Sequence, residues 1–267
     1  MVSDESEKIL MRHLRDLPYF RAMLRAVEDH FYQDLELPAP VLDVGCGDGH
    51  FASVAFCQPL DVGLDPWTEP LKEANRRACY RMVLQADGAK MPFPVGWFAS
   101  VISNSVLEHI PQVDQVLAEI GRVVRPGGRF VFCVPNNRFT EELEGTTLLR
   151  QVGLVSASQS YSRFFNRISR HSHTDSQPVW KERLAKAGFK IERCWDYFPP
   201  ASLHVLELGH FFGLPSLLVR RLTGRWILVR NHANLWLPWL ITHRHVLSPV
   251  SDKGVYSFYI TRKEPYG

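Results

Sequence analysis

Val41 to Phe51 reads VLDVGCGDGHF. Glycine stands at every second position, 45, 47 and 49, directly after a short apolar run, and Asp43 and Asp48 flank the turn. Residues without a Cβ let a ligand come close to the backbone, and the neighbouring carboxylates select the charge of that ligand. A pyrophosphate would suit a G-x-G-x-x-G turn at a helix N-terminus. Here Gly45 and Gly47 fit, but His50 occupies the third position and the two acids repel phosphate. A tight strand–helix turn that packs without any ligand is the plainer alternative.

Two further acids recur at matching places. Asp65, in GLDPW, follows Asp43 by 22 residues and closes a second apolar run. A carboxylate at that point can accept from both hydroxyls of a ribose, and Pro66 holds Asp65 extended. Asp87, in QADGAKMPFP, follows a third run and can accept from an adenine amino group, with Gly88 leaving room for the ring. Each acid alone would read as a solvated loop or cap residue. Together they describe a nucleoside carrying a cationic tail and no phosphate, which is the chemistry of S-adenosylmethionine.

The elements that must carry these residues follow from periodicity. Short continuous apolar runs at 41–44, 60–64, 82–86, 101–103 and 130–134 read as parallel strands buried on both faces. Helix-length segments at 68–79 and 113–124 alternate with them, as in a doubly wound α/β sheet. RPGGRF at 125–130 reads as a turn into the fifth strand. Residues 4–35 show apolar steps of three and four with a break at Pro18, hence two helices. Residues 137–178 are polar, rich in Ser and Arg, and read as a loop or lid. A helix ending at Gly188, a strand over 189–198 and a final strand over 254–263 complete the pattern. Residues 200–250 read as a second irregular block.

The segments VLDVGCGDGHF, GLDPW, QADGAKMPFP, VISNSVLEHIP and RVVRPGGRFVFCVPN resemble, in order, the motifs of class I S-adenosylmethionine-dependent methyltransferases, most nearly the type 11 group. The resemblance runs from about 39 to 137 and resumes over 178–198 and 254–262. It implies an α/β, Rossmann-like seven-stranded sheet of order 3-2-1-4-5-7-6, with strand 7 antiparallel, helices on both faces and a helical cap insertion. It also implies roles for particular residues. Asp43, Gly45, Cys46, Gly47 and Gly49 line the methionine part of S-adenosylmethionine. Asp65 and Pro66 hold the ribose, Asp87 and Gly88 frame the adenine, and Asn104 and Ser105 lie beside the transferring methyl. Ala99 departs from the family, which carries an acid after the aromatic residue there.

Methyl transfer needs a base only when the acceptor must lose a proton. The candidates are His171 and His173 in RISRHSHTD, with Asp175 to orient them, then His109 in LEHIP, and more weakly Tyr161. No metal site is expected. An arginine among Arg12, Arg15, Arg21 and Arg25 is expected to meet the methionine carboxylate. The domain reading is N-terminal helices, 1–38, folded over the cofactor site as in the family, and a methyltransferase domain over 39–267, with insertions at 137–178 and 200–252.

Charge is uneven behind a net of +3: residues 1–136 hold 13 Lys and Arg against 18 Asp and Glu, and residues 137–267 hold 18 against 10. Arg220, Arg221, Arg225, Arg230 and Arg244, with Trp226, Trp236 and Trp239, concentrate in 200–250. That composition suits an apolar acceptor, a peripheral membrane contact or a subunit contact. The expected partner is a small-molecule or lipid-like acceptor, on a monomer or homodimer. Nucleic acid is disfavoured, since no RNA-binding module is recognisable. The polar start and five scattered cysteines lead to the expectation of a cytoplasmic chain, peripheral at the membrane if 200–250 docks there. The competing function is a methyltransferase-like protein that binds cofactor or partner without catalysis.

Overall fold

The computed structural model describes residues 2–265 except 225, 230 and 248, with backbone only at 2–4, 214–216 and 232–233. The strands are β1 Val41–Val44, β2 Leu60–Asp65, β3 Tyr80–Gln85, β4 Phe98–Asn104, β5 Val124–Pro135, β6 Phe189–Tyr197 and β7 Tyr256–Lys263. The helices are α1 Val2–Leu14, α2 Tyr19–Gln33, α3 His50–Ala55, α4 Thr68–Arg77, α5 Val113–Val123 and α6 Arg138–Glu141. They continue with α7 Glu144–Gln151, α8 Val155–Ser169, α9 Gln177–Lys186, α10 Pro200–Phe212, α11 Leu214–Thr223 and α12 His232–Val246.

The strands form one sheet in the order β3-β2-β1-β4-β5-β7-β6, as the family resemblance implies. The β1–β2, β1–β4, β2–β3 and β4–β5 pairs are parallel, and β7 runs antiparallel to β5. Parallel pairing brings the C-terminal ends of β1, β2 and β4 to one rim, so Asp65 and Asn104 end their strands on the same edge as the glycine turn. Strand-terminal crevices of this kind are where open α/β sheets bind ligands. Beneath the rim, Leu42, Leu64, Val101, Phe132 and Tyr259 are almost fully buried. Phe132 stacks on Phe130 at 4.8 Å and on Tyr259 at 4.6 Å, with Trp180 at 5.2 Å. Each such ring contributes roughly 1.5–3 kcal/mol of burial, so the rim stands on a stiff base.

Three expectations change. The fifth strand starts at Val124, ahead of the expected turn. Its register against β4 jumps from Phe98–Val124 to Ser100–Arg129, so 125–128 bulge outward and Gly127 adopts φ +75°. The polar stretch 137–178 carries α7 and α8 in place of a loop. Only Ser158 and Phe165 of α8 are fully buried, so Ser carries part of its inner face and the apolar period is faint. The irregular block at 200–250 is three helices, α10 to α12.

The chain divides into two compact units. One comprises 34–138, 166–195 and 256–267, and holds the sheet. The other gathers 1–33, 139–165 and 196–255, bringing N-terminal helices together with helices of both insertions. In that second unit His13 Nε2 lies 3.0 Å from Asp29 Oδ2, both fully buried. Gly209 lets α10 approach Phe20, where a Cβ would sit 2.4 Å from the Phe20 Cβ. Buried Glu207 accepts from the N–H groups of Glu144 (2.6 Å) and Gly145 (3.1 Å), and from the Tyr161 hydroxyl (2.5 Å). Burial and Glu207 push the Tyr161 phenol up. A phenol held protonated against a carboxylate ties a helix start in place and is not a base. Of the four N-terminal arginines, Arg25 pairs with Glu28 and Arg21 lies over the Trp226 ring at 5.5 Å.

Candidate active site

The glycines of the first turn do different work. Gly45, Gly47 and Gly49 are all left-handed, with φ of +80°, +56° and +71°. The turn folds over the end of β2, where Gly45 N–H and Cys46 N–H donate to the Leu64 carbonyl at 2.8 and 3.1 Å. A Cβ on Gly45 would lie 2.3 Å from Val106 Cγ1, and one on Gly49 would lie 2.8 Å from Cys79 Sγ. Those two positions are glycine because protein packs against them. A Cβ on Gly47 would meet nothing within 4 Å. Gly47 is therefore the glycine of this turn whose backbone is left open.

Asp65 is held against that opening. Its Oδ2 accepts from Gly47 N–H at 3.0 Å and its Oδ1 from Trp67 N–H at 2.9 Å. Each oxygen keeps a second lone pair, so the carboxylate can still receive two hydroxyls. Burial pushes its carboxyl up, and the two N–H groups pull it back. Trp67, 70% exposed just before α4, is a large apolar side chain two residues after this acid. Sequence reading passed over it, although GLDPW contains it.

Asp43 is buried within β1, and its Oδ2 accepts from the Tyr80 hydroxyl at 2.6 Å. Tyr80 reaches across β2 because residue 63 is glycine: a Cβ there would sit 3.0 Å from the ring. Burial and the Asp43 charge push the Tyr80 phenol well up. One Asp43 oxygen is thus taken, and the acid acts as a buried negative charge under the turn. A glycine inside a strand marks such a close approach, so Gly63 was the available signal for Tyr80. The same charge, after burial, pushes the Cys46 thiol up, and Cys79 rises to about 11 chiefly through burial.

Asp87 is exposed and its Oδ1 accepts from Ala89 N–H at 2.9 Å, which rigidifies the turn after β3. Gly88 is buried, with Val116 the nearest neighbour to an added Cβ at 3.4 Å. At the end of β4, Asn104 Oδ1 accepts from the Cys133 thiol at 3.1 Å. Ser105 is left-handed at φ +49°, with its N–H on the Cys133 carbonyl at 3.2 Å. These contacts hold the Asn104–Ser105 corner on β5. Pro66 follows Asp65 directly and precedes the N–H that caps it.

The histidines group differently from their spacing. His171 and His173 are not a pair. His173 directs Nε2 at the Ile110 carbonyl (3.1 Å) and Nδ1 at Asp175 (3.3 Å), and Arg183 also meets Asp175 at 3.3 Å. Both ring nitrogens face acceptors, so His173 fastens its loop. His171 instead lies beside His109, ring centroids 5.4 Å apart. One ligand atom each from Glu108, His109 and His171 fall within 4.8 Å of one another, a spacing that can hold a divalent ion. Glu108 comes from the three-residue 3-10 turn Leu107–His109, and none of this grouping was expected from the sequence. His109 Nδ1 donates to the Arg170 carbonyl at 3.0 Å, which leaves Nε2 facing Glu108 Oε1 at 3.8 Å. The Glu108 carbonyl in turn accepts from Ser172 and His173 N–H at 2.7 and 3.1 Å. The loop is thereby clamped to the turn.

A "Methyltransferase domain" family model matches residues 42–132, which span β1 to β5 and every glycine and acid of the rim. Over 173 residues the chain is 35% identical to a Mycolicibacterium smegmatis protein described as a probable S-adenosylmethionine-dependent methyltransferase, covering 64% of this chain and 59% of that one. It is 26% identical over 153 residues to a Legionella pneumophila malonyl-[acyl-carrier protein] O-methyltransferase, covering 54% of each. The chain spans between half and two thirds of the length of these relatives. Its fold is that of a Thermotoga maritima S-adenosylmethionine-dependent methyltransferase, with TM-score 0.57, 15% identity and coverage of 98% of this chain and 95% of that one.

Proposed function

We propose that this chain, which belongs to the class I S-adenosylmethionine-dependent methyltransferases of the type 11 group, transfers a methyl group to an oxygen of a small, lipid-like acceptor. The observation that carries the cofactor half is Gly47, left-handed and open, with Asp65 bonded to its N–H. Bound S-adenosylmethionine supplies a methyl group on a sulfonium, whose departure leaves a neutral thioether. The chain's part is therefore positioning and exclusion of water, with removal of one proton where the acceptor is a hydroxyl. Asp65 would receive the ribose hydroxyls, and the Gly45–Gly49 turn, with the buried Asp43 charge, would hold the methionine tail. Asp87 and Trp67 would bound the adenine. The Asn104–Ser105 corner, fixed on Cys133, would lie beside the transferring methyl.

The oxygen acceptor is supported by the named activity of the Legionella relative. A hydroxyl acceptor must give up its proton as the oxygen–carbon bond forms. His171 takes that proton, and the adjacent His109 and Glu108 stabilise the resulting positive charge. A carboxylate acceptor needs no such step. The test is incubation with methyl-labelled S-adenosylmethionine and a panel of fatty acids, acyl-carrier-protein malonyl esters, phenols and quinols. Label in an oxygen-linked methyl of one class, with stoichiometric S-adenosylhomocysteine, is expected. Label confined to nitrogen or carbon would overturn the oxygen assignment.

A further inference from the structure

Helix α12 turns its apolar side the wrong way for a buried helix. Leu235, Thr242 and Val246 face inward, while Trp236, Leu237, Leu240, Ile241 and Leu247 are exposed. At 3.6 residues per turn those five positions and exposed Arg244 fall within an arc of about 140°. Trp236 is 59% exposed and Leu237 55%. In the same unit, α10 and α11 expose Phe212, Leu217, Leu218 and Leu222. An apolar stripe this long on a water-facing surface marks a contact site.

Charge identifies what covers it. Residues 208–251 contain no Asp or Glu and five arginines. Arg220, Arg221 and Arg244 are exposed beside the apolar side chains, while Arg225 and Arg230 lie outside the described residues. A second copy of the chain would bring this wholly basic surface against itself in a two-fold contact, without counter-charge. An anionic bilayer surface supplies both an apolar layer and negative head groups. No single helix among the described residues is long and apolar enough to cross a membrane; α10 with Leu217–Thr223 passes only as a pair bent by 56°. Leu203, Leu206 and Glu207 of α10 are buried, so that helix is committed to its own unit. We propose that the exposed face of α11 and α12 docks on the surface of an anionic membrane. Trp236, Leu237, Leu240 and Ile241 enter the interface, and Arg221 and Arg244 meet lipid phosphates. Arg220 stays with Trp226, over whose ring it lies at 4.5 Å.

The experiment is co-sedimentation of the full chain with phosphatidylcholine vesicles, with and without one quarter phosphatidylglycerol, across salt concentrations. Pelleting with the anionic vesicles that weakens as salt rises is expected. Removing two charges in R221Q/R244Q should lower vesicle affinity about thirtyfold, from the worth of an arginine near an anionic surface. L237N/I241N should abolish pelleting, with cofactor binding and helix content as in wild type. Equal pelleting with neutral vesicles, or none at low salt, would overturn the proposal. So would sedimentation velocity showing a dimer in the absence of lipid that L237N/I241N dissociates, which would assign the face to a second copy.

Discussion

The sheet unit and the helical unit spend their apolar residues differently. In the sheet unit, β1 is buried throughout, and the open Gly47 and the Asp65 bonded to it are residues whose chemistry shows in their types. In the helical unit, α10 to α12 are apolar on more than one side, because one side packs and the other meets solvent. Residue type reports function where backbone must be approached. It reports little where an apolar surface serves two purposes.

The first way to break that contrast is at the glycines. Gly45→Ala puts a methyl against Val106 at a positive φ, and should cost about 3 kcal/mol or more of folding stability through overpacking and left-handed strain. Gly47→Ala meets no protein atom and should cost only about 1–2 kcal/mol, yet weaken S-adenosylmethionine binding far more than folding. Urea unfolding together with calorimetric titration separates the two. Equal losses of folding and binding at both positions would remove the distinction between packing glycine and open glycine.

Asp65→Ala is next. Two ribose hydrogen bonds are worth about 2–4 kcal/mol of affinity if both are made, and S-adenosylhomocysteine should lose as much as S-adenosylmethionine. An unchanged dissociation constant would refute the ribose role. His171→Ala should lower turnover of a hydroxyl acceptor about a hundredfold while leaving cofactor affinity unchanged, whereas His173→Ala should show mainly in the melting of its loop. Steady-state rates alongside hydrogen exchange over 166–175 distinguish these outcomes.

The smallest effect is a pH dependence. The Cys79 thiol is raised from 9.0 to about 11, chiefly by burial. A raised acid is more easily ionised in the unfolded chain, so its contribution to stability is whole below pH 9 and is lost as pH rises through about 11. The melting temperature should fall across that window, and less steeply in Cys79→Ala. At pH 8, exposed Cys57 should alkylate before Cys46 and Cys79.

How far the chain was legible follows the same division. The strands, the acids at strand ends and the glycine turn could be read because short apolar runs have few alternatives and each site residue is a chemical type, whereas the strand order came only from the family resemblance. Tyr80 was not read, because its partner Asp43 is 37 residues away and only Gly63 hints at the crossing. The His109–His171 pairing was hidden for the same reason: the turn and the loop it clamps are 61 residues apart between His109 and Arg170. Asp175 orients His173, as the sequence suggested, but the fold parts His171 from that pair and sets it beside His109. Helix α8 escaped because Ser158 faces inward where an apolar residue is expected. Tyr161 looked like a base until Glu207, 46 residues on, was seen to hold its proton.

The central claim is that the rim built from Gly47 and Asp65 binds S-adenosylmethionine for methyl transfer. The most direct measurement is calorimetric titration of the full chain with S-adenosylhomocysteine and with NAD. Binding of the first in the micromolar range, lost in Asp65→Ala and absent for the second, is the predicted result. Binding of NAD at comparable strength, or S-adenosylhomocysteine affinity indifferent to Asp65, would contradict the account.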